Sequence, residues 1–220
     1  AGVLLAGLAG TLFGLLHAAL CSLPRVNDIA GGIALMILGS GLAFFFGKPL
    51  IQPAAPMLPS LSLGGWSDVP QLRSALEVSP LLLIGIAAAF VLLFVFKRTR
   101  IGLILRMVGD SADAARAMGY PISPVRVAAT AFGGFMAGIA GAYLSLYYPG
   151  SWNEHISSGQ GLIAVALVIF ARWNPLACLG AALIFGGAGA LGPALQSVGV
   201  TSGYYLFYAA PYILTLAILF

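Results

Sequence analysis

Residues 97–126 read KRTRIGLILRMVGDSADAARAMGYPISPVR and form the long polar break in the second half of an otherwise apolar chain. Six of the ten basic residues fall here: Lys97, Arg98, Arg100, Arg106, Arg116 and Arg126. Apolar segments flank the stretch on both sides, so its charge orients the chain in a membrane rather than solvating a surface. Working outward, apolar runs occupy roughly 2–20, 29–46, 80–96, 127–147, 159–171, 176–192 and 204–220. The expected fold is therefore an all-α polytopic transmembrane helix bundle with about seven segments in one domain, 1–220, that carries 97–126 as a cytoplasmic loop. The 159–171 run is short for a crossing and reads as tilted, or as broken and partly re-entrant.

Composition agrees. Hydrophobic residues make up 60% of the chain and charged residues 7%, against about 25% charged in a soluble domain, and the mean hydropathy is +1.03. The formal charge of +4 follows from the positive-inside bias and does not point to nucleic acid. With 97–126 in the cytoplasm, Arg25 and Arg172 also fall inside, while Lys48 and Arg73 fall outside. That is eight basic residues in and two out. Ala1 opens directly into an apolar run with no basic region before it, which reads as an excerpt lacking leading segments rather than a signal peptide.

The loop 47–79 is then external, and Pro49, Pro53, Pro56, Pro59 and Gly64-Gly65 argue against a long helix in it. Trp66, Trp152, Tyr147 and Tyr148 are expected at the outer interface as anchors. Small residues recur at four-residue spacing: Gly10, Gly14 and Ala18; Gly134, Gly138 and Ala142; Ala182, Gly186 and Ala190. In lipid no hydrophobic effect drives helices together, so such faces supply close backbone approach. The partners of each face stay open.

Several chemistries are absent. The chain has no GxxxxGK[ST] phosphate loop and no HExxH, and only two histidines. All six acids (Asp28, Asp68, Glu77, Asp110, Asp113, Glu154) lie in loops or at span ends, which disfavours a proton relay within the membrane. No catalytic residue, metal site or cofactor is expected in this chain. Cys21 and Cys178 match no metal or CxxC spacing and read as reduced packing residues. His155, beside Glu154, reads as solvated. His17 shares a helix face with Gly10 and Gly14 and points at protein or a cavity. With Asn27 it is the candidate for lining a substrate path.

Within 97–126 lies a short bounded helix. Asp110 is a good N-cap, and Asp113 can reach back as in a capping box. Ser111 through Met118 is mostly alanine, Gly119 suits the left-handed position after the last turn, and Pro121 forbids resumption. About two turns, on the order of 12 Å, are too short to be stable alone in water. Ala112, Ala115 and Gly119 put nearly bare backbone on one side, suited to entering a groove, and Arg116 sits well for the helix dipole.

Asp113-Ala114-Ala115-Arg116-Ala117-Met118-Gly119 resembles the EAA-x-x-x-G loop of bacterial ABC importer permeases, with Asp113 where that motif has Glu. Arg98-Thr99-Arg100-Ile101-Gly102, Gly141-Ala142-Tyr143 and Phe170-Ala171-Arg172-Trp173-Asn174-Pro175 look like the branch serving nucleosides, simple sugars and branched-chain amino acids. Arg25-Val26-Asn27-Asp28 followed by Gly31-Gly32 is most similar to nucleoside-type members. The resemblance implies that Asp110, Asp113, Ala114, Ala115, Arg116 and Gly119 couple the chain to a separate ATP-binding-cassette ATPase. It further implies a second permease subunit in a heterodimer, an extracytoplasmic substrate-binding protein or lipoprotein, and a lipid surround in the bacterial inner membrane. A simple-sugar or riboflavin permease is the near alternative, and a membrane scaffold without transport the distant one.

Overall fold

Twenty apolar residues in a helix span about 30 Å, the thickness of a bilayer's hydrocarbon core, and that length recurs along this chain. The computed structural model describes residues 1–23, 25–51, 56–66, 68, 76–147, 152–153, 156–157, 159–197 and 199. Its helices are α1 (Gly2–Cys21), α2 (Asp28–Gly47), α3 (Pro80–Arg98), α4 (Arg100–Asp110), α5 (Ala112–Ala117), α6 (Ile122–Tyr147), α7 (Gln160–Phe170) and α8 (Pro175–Ser197). Five of the described helices are long and apolar enough to cross a membrane: α1, α2 with its 3₁₀ extension to Leu50, α3, α6 and α8. At 11 residues, α7 measures about 16 Å, roughly half the hydrocarbon thickness. The expected seventh segment, 204–220, lies outside the described residues, as do Tyr148, Glu154, His155 and Arg73.

Two compact units emerge. The first comprises 1–85 and 94–158, the second 86–93 and 159–220. In the first unit α1 lies against α6 through their glycine faces. A Cβ added at Gly14 would stand 2.7 Å from the Thr130 carbonyl oxygen, one at Gly10 would stand 2.9 Å from the Gly138 amide nitrogen, and one at Gly138 would collide with the Ala6 carbonyl. Only hydrogen side chains allow this approach, and van der Waals contact between backbones is what holds helices together in lipid. Thus the first two small-residue faces of the sequence are partners.

One end of this unit gathers the start of α6, the end of α1, the start of α2, and α4 with α5. At the other end, the Tyr147 hydroxyl donates to the Glu77 carbonyl at 3.0 Å and the Leu58 amide donates to the Leu146 carbonyl at 3.1 Å. A two-residue antiparallel pair (β1, Leu61–Ser62; β2, Glu77–Val78) lies there too, with Leu61 opposite Val78. The Trp152 indole rests on Gly47, within 2.6 Å of where a Cβ would be. Trp66 stays 77% exposed.

In the second unit the turn between α7 and α8 is tight. Arg172 and Trp173 both take left-handed backbone, φ 49° and 61°, where a side chain crowds its own carbonyl. The Trp173 amide still donates to the Val168 carbonyl at 3.2 Å, and the Asn174 side-chain oxygen accepts from the Leu176 amide at 3.1 Å, capping α8.

Candidate functional site

The sequence stretch expected as a loop is mostly helix. α3 runs on through Lys97 and Arg98, and α6 already begins at Ile122, with Pro124 in a first turn that has no intrahelical N–H bond to lose. Between them lies α4, an 11-residue helix that the sequence reading missed. Its signal was available: Thr99 as a cap, then apolar residues at 101, 104, 105 and 108, a helical period. Thr99 terminates one helix and starts the next. Its hydroxyl donates to the Val95 carbonyl at 2.7 Å and accepts from the Gly102 amide at 3.2 Å. Gly102 and Val108 form the buried side of α4.

The short helix α5 follows directly, and it corrects the expected cap. Asp110 is the last residue of α4. Ser111 is the N-cap of α5, extended at φ −151° and ψ 106°, and its hydroxyl accepts from the Ala114 amide at 3.2 Å. Ser and Asp serve equally well as N-caps; the continuation of α4 through Asp110 leaves that role to Ser111. Asp113 does not reach back toward the cap but pairs with Arg116 at 3.3 Å, one turn on, both strongly exposed. Such an exposed pair adds little to stability. At the far end the Tyr120 amide donates to the Ala115 carbonyl at 3.0 Å and the Gly119 amide to the Arg116 carbonyl at 2.9 Å, with Gly119 at φ +82°. Those two bonds are a Schellman closure.

Ala115 requires a second correction. Expected to face a partner's groove, it is instead completely buried within this chain, the anchor by which α5 rests on its own protein. Asp113, Ala114, Arg116, Ala117, Met118 and Gly119 are all exposed, Met118 at 66%. The outward face is therefore the one opposite Ala115.

Beneath α5 opens a cleft of about 590 Å³, which His17, Cys21, Asp28, Arg116, Arg126 and Thr130 help to line. It brings His17 and Arg116, a pathway candidate and a coupling candidate, into one space. His17 stands 3.6 Å through Nε2, and 3.7 Å through Nδ1, from the Cys21 sulfur one turn further along α1. Asn27 is elsewhere. Its side-chain oxygen accepts from the Ile29 and Ala30 amides at 2.9 and 3.2 Å, capping α2, and it is not part of the cleft lining. Capping α2 is the role that the structure gives its side chain. Among the described residues no cluster of three or more His, Cys, Asp or Glu side chains is arranged to hold a metal ion.

Residues 1–219 match the family described as "Branched-chain amino acid transport system / permease component". The chain is 34% identical over 196 residues to the putative glucose ABC transporter permease protein of Haloferax volcanii, covering 87% of this chain and 60% of that protein. It is 31% identical over 218 residues to the guanosine ABC transporter permease protein of Bacillus subtilis, covering 94% and 68%. With the nucleoside ABC transporter permease protein of Lactococcus lactis the identity is 27% over 228 residues, covering 99% and 71%. The chain thus spans 60% of the length of the first of these relatives and 71% of the last. No solved structure matches it. A match along nearly the whole chain, together with five helices of membrane-spanning length, shows that this multi-pass membrane protein belongs to the permease family of the branched-chain amino acid transport system.

Proposed function

We propose that the chain is the membrane-spanning translocation subunit of an ATP-binding-cassette importer for nucleosides or related purines, working in the bacterial inner membrane. The observation that carries this reading is α5: six residues capped at both ends, seated on one buried alanine, with its outer face exposed. A helix so short does not persist on its own. Fixing it at both ends with the outer face left bare prepares it to fit another protein. In this reading 97–126 is cytoplasmic, and a separate ATPase receives Asp113, Ala114, Arg116 and the Met118–Gly119 turn. ATP-driven closure of that ATPase moves α5 and biases the bundle between outward- and inward-open states, each favoured by a different set of contacts. A second permease subunit and an extracytoplasmic receptor complete the assembly, and His17 lies on the solute's route.

Two of the three relatives named above carry a nucleoside or guanosine in their names, which favours that substrate class. The putative glucose permease supports simple sugars as a second reading.

The test is Ala114→Trp on the exposed face of α5, made in the full transporter with its ATPase. The expected result is loss of guanosine uptake and of ATPase co-purification, with the permease still inserted and eluting as wild type. Undiminished uptake would remove α5 as the docking element. Glucose uptake without guanosine uptake in the wild-type transporter would move the assignment to sugars.

A further inference from the structure

We propose that the corner joining α3 to α4 is a binding site for the headgroup of an anionic phospholipid. Lys97, Arg98 and Arg100 place three cations within four residues, all exposed, and Arg106 adds a fourth one helical stretch later. Among the described residues no acidic side chain pairs with them. No acid occurs between Glu77 and Asp110, and the ion pair among the described residues joins Arg116 to Asp113. The cations stand at the end of a 19-residue apolar helix, the depth at which lipid phosphates lie. Apolar surface runs up to them from both directions in sequence: Phe94 is 62% exposed and Ile101 66%. Long basic side chains lay their stems along such surface and extend their charge to the headgroup layer.

The corner is also built. The Thr99 hydroxyl ties the end of α3 to the first turn of α4, and a Cβ at Gly102 would stand 2.5 Å from the Phe96 Cα and strike the Val95 carbonyl. The two helices are therefore locked against each other, and the cations project from a fixed bend rather than a loose loop. Charge complementarity with an acyl-chain surface alongside suits a phospholipid better than a water-soluble anion. This inference rests on the membrane assignment alone and stands whatever the solute or the role of α5.

The experiment uses the purified chain in phosphatidylcholine vesicles, with spin-labelled phosphatidylglycerol or spin-labelled phosphatidylcholine as the probe. The readout is the motionally restricted fraction of each probe. Wild type should prefer the phosphatidylglycerol probe several-fold, and less so as salt rises. The triple variant Lys97→Gln/Arg98→Gln/Arg100→Gln should fall close to parity, whereas Lys97→Arg/Arg98→Lys/Arg100→Lys should keep the preference. Arg98→Gln alone should bring the preference part of the way toward parity, which decides the matter if the triple variant does not fold. A charge-matched control, Arg25→Gln/Lys48→Gln/Arg172→Gln, should leave most of the preference in place. No preference in wild type, or an equal fall in the control, would overturn the site. So would a triple variant that keeps the wild-type lipid preference.

Discussion

The α1–α6 seam and the α5 helix are both built of small residues and use them in opposite ways. At the seam, Gly10, Gly14, Gly134 and Gly138 are consumed by contact, and nothing larger than hydrogen fits. In α5 only Ala115 is spent inward, and the alanines at 114 and 117 remain open. A third set, Ala182, Gly186 and Ala190 on α8, has the seam's spacing but is exposed, and a Cβ at Gly186 meets nothing within 4 Å. Small-residue spacing therefore marks a capacity for close approach; whether it has been used is a matter of burial.

The sharpest way to break this contrast is substitution at matched glycines. Gly138→Leu should cost on the order of 3 kcal/mol, at the upper end of overpacking penalties, because the neighbouring atoms are backbone and cannot step aside. Gly186→Leu should leave the isolated chain's thermal unfolding in detergent unchanged. Equal losses at the two sites would mean that α8 is packed as tightly as the seam.

Next in size is Ala115→Trp, expected to cost about 2 kcal/mol through overpacking at the one buried position of α5. The partner variant Ala114→Trp should be thermally silent while abolishing uptake. Hydrogen exchange at the Tyr120 amide, which closes the helix on Ala115, reads the first effect directly. A silent Ala115→Trp would contradict the burial of that side chain.

Gly119→Leu removes no contact, since a Cβ there has open space, so its whole effect is the left-handed backbone, about 1.5 kcal/mol. The smallest expected change separates the two caps. Ser111→Ala should destabilise α5 by about 1 kcal/mol, whereas Asp110→Ala should change its exchange protection hardly at all. The reverse order would restore Asp110 as the cap.

Much of this fold was legible from residues. The spans of α1, α2, α3, α6 and α8 follow from runs of apolar side chains long enough to cross a bilayer, and the left-handed Gly119 was foreseen from Gly-x-Pro after an alanine run. The inward face of α5 was not legible, for a physical reason. With alanine at 112, 114, 115 and 117, no apolar stripe distinguishes one side of the helix from another. The α4 helix was obscured differently: its arginines drew the reading toward a loop, although cap and apolar period were both present. Asn27 was ambiguous because a polar residue between two spans suits a pathway and an N-cap alike, and the cap shows only in the two amide bonds to its oxygen.

The bend at Thr99 has a mechanical consequence. A hinge transmits little torque, because the chain rotates at the joint before the load reaches the next rod. This joint has a hydroxyl bonded on both sides and a glycine wedged on the preceding carbonyl, so rotating it means breaking bonds and separating packed backbone. A push delivered to α4 is carried as leverage into the last turn of α3.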